Sequence, residues 1–296
     1  MTANTWTTVL AMCLMLPNTL SCESQLIDPT EMHEGQIALS PTSSAPSANQ
    51  TNKQSPPESP VEPIGAPEIR FIRPSLFGFR MDISASAAKP HVIALSPAPS
   101  GSEFESRIRH LLWKEIGRYP QGALGAVDSI VIGGTLTDDK LSVGGVTFLG
   151  MVFIATGERD AGKVTDEHVI RAFHHECSHA LMNVHQAKFD VGTFRAALPT
   201  GFQYAEDRPG ATKRNPLEPD EELLSLELLN DGFLIPWAKR NMEEDFASYA
   251  EVLFENPKWL LSMFHPESRV GRKARVVRDF YIAIDSRFES LFNAGE

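Results

Sequence analysis

His175-Glu176-Cys177-Ser178-His179 constrains this chain more than any other stretch, because it ties two imidazoles and a carboxylate to a single turn of helix. At about 100° per residue, the two histidines stand about 40° apart and about 6 Å along the axis, so both can reach one metal ion. Glu176 lies about 100° round from His175, close enough to orient a water without binding the ion. Cys177 lies about 200° round and faces the other way, where a small buried thiol acts as an apolar residue.

The surrounding residues favour a helix over 166–185. Thr165 is a suitable N-cap, and Asp166 and Glu167 place carboxylates in the first turn, where the helix dipole favours them. Ile170, Phe173, Cys177, Leu181 and Val184, three and four apart, form an apolar back. His168 shares the histidine face but lies about 10 Å before His175, too far for the same shell. His174 reads as a packing or surface residue.

Two ligands leave a metal shell incomplete. His185 follows His179 by six residues, a spacing used where a glycine ends the helix and returns the chain to the ion. Met182 stands in that glycine position, and a continuing helix carries His185 about 9 Å past His179. The better candidate is Glu243 or Glu244, in a second expected helix over 241–254 that Asn241 can cap. Ala247, one turn beyond Glu244, lets two helices approach closely and favours Glu244.

The order of elements predicts an α+β fold. Short strands are expected at 68–73, 91–95 and 127–134, with one or two more over 140–155, where Gly144 and Gly145 mark a bend. An amphipathic helix is expected at 104–116, and a C-terminal helix over 273–288 packs Val276, Val277, Phe280, Ile284 and Phe288 inward. Residues 206–219 read as a long polar loop. The basic cluster Arg269, Arg272, Lys273, Arg275 and Arg278 reads as a solvated helix face, with contact to an anionic surface as the alternative. The net charge of −11 argues against nucleic acid as a partner.

Ahead of the folded part, residues 1–22 suit an export or lipoprotein signal. Val9 to Leu16 is an apolar run too short to span a bilayer, although no Lys or Arg precedes Lys53. Cys22, after Thr19-Leu20-Ser21, resembles a bacterial lipoprotein processing site, with cleavage without lipidation as the alternative. Residues 23–67 are rich in Pro, Ser and Thr and read as a disordered tether. The domain expected to fold is then 68–296. With Cys13 inside the leader, only Cys22 and Cys177 remain, too few for a disulfide framework. Localisation in the cell envelope or secretion follows, with membrane attachment through a lipid on Cys22.

His174-His175-Glu176, His179-Ala180-Leu181, His185-Gln186, Gly232-Phe233-Leu234-Ile235-Pro236-Trp237 and Asn241-Met242-Glu243-Glu244-Asp245-Phe246-Ala247 together resemble a family of bacterial zinc-binding metallopeptidases, often exported lipoproteins. That family is similar to the zincins with a glutamate as third ligand, including the catalytic domain of anthrax lethal factor. The resemblance covers about 165–255. It implies a zincin-like α+β domain with a small mixed sheet over the active-site helix. It also implies one catalytic Zn²⁺ held by His175, His179 and Glu244, with Glu176 as general base, and peptide or protein as substrate. Trp237 departs from the family, which often has tyrosine there, and the interval before His185-Gln186 is longer than usual.

An endopeptidase of this kind needs a further donor for the oxyanion, and Tyr204, Tyr249 and Tyr281 are the candidates, although Tyr249, on the apolar stripe of its helix, reads equally as core packing. Asp245 reads either as a hydrogen-bond partner of a ligand histidine or as a surface residue. By analogy with zincins, 145–154 is expected to bind substrate backbone as an edge strand; Gly150 within it marks a close approach or a bulge. Two other readings keep the zinc: an amidase acting on cell-wall peptide, and a non-catalytic binding protein whose fold the metal stabilises.

Overall fold

Ile69 and Phe71 point inward while Glu68 and Arg70 face water, the period-two pattern of a strand with one buried face. This strand, β1 (Glu68–Phe71), opens the fold in the computed structural model. The structure describes residues 62–72, 79–83, 91–138, 141–157, 165–207 and 225–293, all within the unit Glu58–Glu296. The expected leader, most of the expected tether and the greater part of the 206–219 loop lie outside the described residues.

Two four-stranded sheets form. In the first, β1 pairs in parallel with β4 (Ser129–Gly133), β4 in parallel with β8 (Met151–Ala155), and β8 antiparallel with β7 (Gly145–Phe148). Every residue of β4 is buried, as expected for a strand covered on both faces. The second sheet is antiparallel, in the order β2 (Phe79–Ile83), β3 (His91–Leu95), β5 (Leu136–Asp138), β6 (Leu141–Val143). Leu95 and Leu136 of the second sheet join Val131, Phe153 and Ala155 of the first in one apolar cluster.

The chain crosses from the second sheet to the first at Gly144, so 141–155 holds three strands rather than one or two. Leu149 and Gly150 have φ of 48° and 78° and close β7 onto β8. A two-residue loop with both residues left-handed matches the twist of a hairpin. Gly150 is therefore a turn residue, not a bulge. The strand expected over 145–154 is a hairpin, and only its β7 limb lies at the sheet edge.

Helices follow. Ile108, Leu112 and Ile116 bury the inner face of α1 (Ser102–Ile116). Then come α2 (Asp166–His185), α3 (Val191–Ala196), α4 (Leu226–Asp231), α5 (Met242–Glu255), α6 (Pro257–Ser262), α7 (Arg269–Ile284) and α8 (Phe288–Asn293). The long helix α2 packs against β7 and β8 on one side and α5 on the other. Phe173, Cys177 and Leu181 of its back are fully buried, but Val184 is 62% exposed because the last turn runs past the core.

The C-terminal helix differs from expectation at both ends. Ser268 caps α7 by accepting from the Gly271 N–H at 3.1 Å, so it starts ahead of Lys273. It stops at Ile284, and Phe288 opens α8 instead of closing the same helix. Lys273 also leaves the solvated face expected of it. Its ammonium is fully buried, donating to Asp245 Oδ2 at 2.6 Å and to the Gly232 carbonyl at 2.8 Å, and it lies 4.1 Å from the Phe233 ring centre.

Candidate metal centre

The two helices that carry the centre are fixed at their N-termini by side-chain caps. Thr165 Oγ1 accepts from the His168 N–H at 3.2 Å, which starts α2 at Asp166. Asn241 Oδ1 accepts from the Glu244 N–H at 2.8 Å, and Glu243, Glu244 and Asp245 fill the first turn of α5. Asn241 Nδ2 in turn donates to Glu206 Oε2 at 2.9 Å.

These caps set the register in which the side chains meet. His175 Nε2 lies 3.1 Å from Glu244 Oε2, and His179 Nε2 lies 3.8 Å from the same oxygen. The imidazole rings are 5.0 Å apart, centre to centre. Among the described residues, His175, His179 and Glu244 form the group of His, Cys, Asp and Glu side chains able to hold a metal ion, with one ligand atom from each within 4.8 Å of the others. All three are partly buried. Two imidazole nitrogens and a carboxylate oxygen are a donor set that would suit zinc.

The electrostatics are those of groups sharing one charge. Burial raises the Glu244 carboxyl, but His175 and His179 outweigh it and hold Glu244 well below the usual carboxylate range. Burial likewise lowers His175, while Glu244 and Glu251 outweigh it and hold the imidazole well above its ordinary value. A cation held by these three groups would compete with protonation of the imidazoles.

Glu176 points from α2 toward β7. Thr147 Oγ1 lies 2.7 Å from the Glu176 carbonyl oxygen and 2.8 Å from its Oε2. Burial pushes the carboxyl of Glu176 above its usual range, against the pull of the two histidines. Gly145 makes room for it, since a Cβ there would come 2.5 Å from Glu176 Cγ. The sheet edge thus grips this carboxylate by one hydroxyl and one missing side chain.

The other candidates fall elsewhere. His185 ends α2 and is not in the cluster. Glu243 is exposed. Cys177 is in the core, where burial raises its thiol. His174 is fully buried: Nε2 meets Glu115 Oε2 at 3.0 Å, Nδ1 meets the Tyr119 hydroxyl at 2.9 Å, and the ring stacks on Phe254.

Asp245 takes neither role expected of it. It is fully buried, paired with Lys273 and accepting from Tyr204 at 2.7 Å. Burial pushes its carboxyl up to about 6 despite the ammonium beside it, and pushes Lys273 down. The three tyrosines are also core residues. Tyr204 is committed to Asp245, Tyr249 donates to the Gly232 carbonyl at 2.9 Å, and Tyr281 packs between Phe254 and Phe288 with its hydroxyl buried. Their hydroxyls are therefore turned into the core and not offered to a substrate.

Three neighbours of the centre were not evident in the sequence. Thr147 has no local signature, because its role depends on β7 lying against α2. Glu251 follows Glu244 by seven residues and so shares its face of α5, a spacing that points to it once Glu244 is chosen. Arg240 brings its guanidinium to 3.9 Å from Glu244 Oε1; it is held by Glu206 at 2.6 Å and lies over the Trp237 ring at 4.7 Å.

No protein-family model matches this chain, and no curated protein matches it. Among solved structures, a crystal structure described as a "putative zinc-binding metallo-peptidase" from Bacteroides caccae matches with a TM-score of 0.40 and 16% identity, over 77% of this chain and 87% of that one. A likeness at that level leaves the chemistry to be read from this chain's own residues.

Proposed function

We propose that this chain is a zinc-dependent endopeptidase with a zincin-like α+β domain. The observation that carries the reading is the convergence of His175, His179 and Glu244 beside a buried carboxylate, Glu176, that is held against the sheet edge. A structural zinc site is closed by four protein ligands, whereas three ligands and an adjacent base suit hydrolysis.

Zinc held by His175, His179 and Glu244 would supply Lewis acidity toward a carbonyl and lower the pKa of water. Glu176 accepts the proton of the attacking water and returns it to the leaving amine. Thr147 holds Oε2 in place, and Arg240 braces the outer oxygen of Glu244. β7, an edge strand beside Glu176, can pair with an extended peptide.

Export belongs to the same proposal: a leader over 1–22, a lipid on Cys22 and a tether over 23–67 would hold the domain off a membrane surface. Cleavage of a peptide library by the zinc-loaded wild type but not by Glu176→Gln tests the hydrolytic claim. Equal cleavage by both, or by neither, contradicts it.

A further inference from the structure

Glu251 takes no part in that hydrolytic scheme, yet its Oε2 comes to 3.5 Å from His175 Nδ1. The helix explains the approach. Seven residues separate Glu244 from Glu251, about 20° in angle and about 10 Å along α5. The same helix therefore addresses both nitrogens of one imidazole, Glu244 at Nε2 and Glu251 at Nδ1.

The two nitrogens are not equivalent. Nε2 of His175 and Nε2 of His179 both face Glu244 Oε2, so Nε2 is the nitrogen aimed at the metal position. A coordinating imidazole is neutral, so its proton sits on the other nitrogen and needs an acceptor. The Glu251 side chain is only 13% exposed. A carboxylate that far removed from water needs a compensating partner.

We propose that Glu251 is a positioning residue for the metal centre. It accepts the Nδ1–H of His175, which fixes the tautomer and ring plane that present Nε2 to the ion. This role rests on reading His175, His179 and Glu244 as a metal site.

The test is the zinc affinity of the full chain, by competition with a chromogenic chelator, for wild type, Glu251→Gln, Glu251→Ala and His175→Ala. It is joined to nitrogen-15 NMR of the His175 ring in the zinc-loaded protein. Glu251→Ala should weaken zinc by about 10–100-fold. Glu251→Gln should lose less, because its amide oxygen still accepts the Nδ1–H. The ring should show a protected Nδ1–H in wild type and a rapidly exchanging one in Glu251→Ala.

If Glu251→Ala does not fold, as judged by melting of the metal-free protein, the glutamine variant carries the test through a measurable loss of affinity and faster Nδ1–H exchange. Wild type that binds zinc, with every folded Glu251 variant within about twofold of it and Nδ1–H equally protected, would overturn the role of Glu251 alone. Wild type that binds no zinc would overturn the metal site and this role together.

Discussion

His175 Nε2 and Glu244 Oε2 meet at 3.1 Å although 69 residues separate them in the chain. Each side chain stands on a helix whose first turn is fixed by its own cap, Thr165 for α2 and Asn241 for α5. The contact is thus set by two local features and one packing interface. Asn241 ties this arrangement to Glu206, and Glu206 holds Arg240 beside Glu244.

Zinc should stabilise the folded chain by mass action. At a free concentration about a hundred times its dissociation constant, the gain is about 2.7 kcal/mol. Thermal melting with zinc and with a chelator should show a clear upward shift in wild type and none in His179→Ala. An equal shift in both would mean that zinc acts elsewhere.

Gly145 gives the base its place. Glu176 Oε1 would lie 2.7 Å from a Cβ added there, so Gly145→Ala must move the carboxylate. Peptide hydrolysis should fall by about a hundredfold, within the range a positioned base supplies, while zinc content stays at the wild-type level. Undiminished hydrolysis in the zinc-loaded variant would show that the position of Glu176 does not matter.

The buried Asp245–Lys273 pair should behave asymmetrically. Asp245→Ala leaves the ammonium of Lys273 buried without its counter-charge and should cost about 3–5 kcal/mol in urea unfolding. Asp245→Asn combined with Lys273→Met removes both charges and should recover most of that loss. If the double variant were as unstable as the single one, charge pairing would not be what holds α5 to α7.

Acid should weaken the anchorage behind α2. Burial raises the Glu115 carboxyl, but hydrogen bonds from His174 and Arg118 outweigh it and hold it at about 2. A folded-state pKa below the unfolded value contributes stability above the unfolded value, and that contribution is lost as pH falls toward the folded one. Wild type should therefore exceed Glu115→Gln in stability at pH 6, with the gap closing between about pH 4.5 and 2. A gap independent of pH would assign it to packing.

What the sequence disclosed follows the range of the interactions involved. The cap at Thr165, the histidine face and the buried Cys177 were legible because helical periodicity is local. Glu244 was reached through the capped second helix and the family resemblance. Lys273 was misread because it sits among arginines, and the groups that draw it inward, Asp245 and the Gly232 carbonyl, lie 28 and 41 residues away. Tyr249 was legible as core from its place on the apolar stripe of its helix, whereas nothing local to Tyr204 or Tyr281 shows that its hydroxyl will be covered. Thr147 and Gly145 depend on a strand crossing from one sheet to the other before it meets α2, and that topology leaves no periodic trace.

The most direct measurement is the metal content of purified wild type, Glu244→Ala and His185→Ala, each first saturated with zinc and then dialysed. Wild type and His185→Ala should each retain about one zinc per chain, and Glu244→Ala should lose it. Zinc retained by Glu244→Ala but lost from His185→Ala would contradict the centre proposed here.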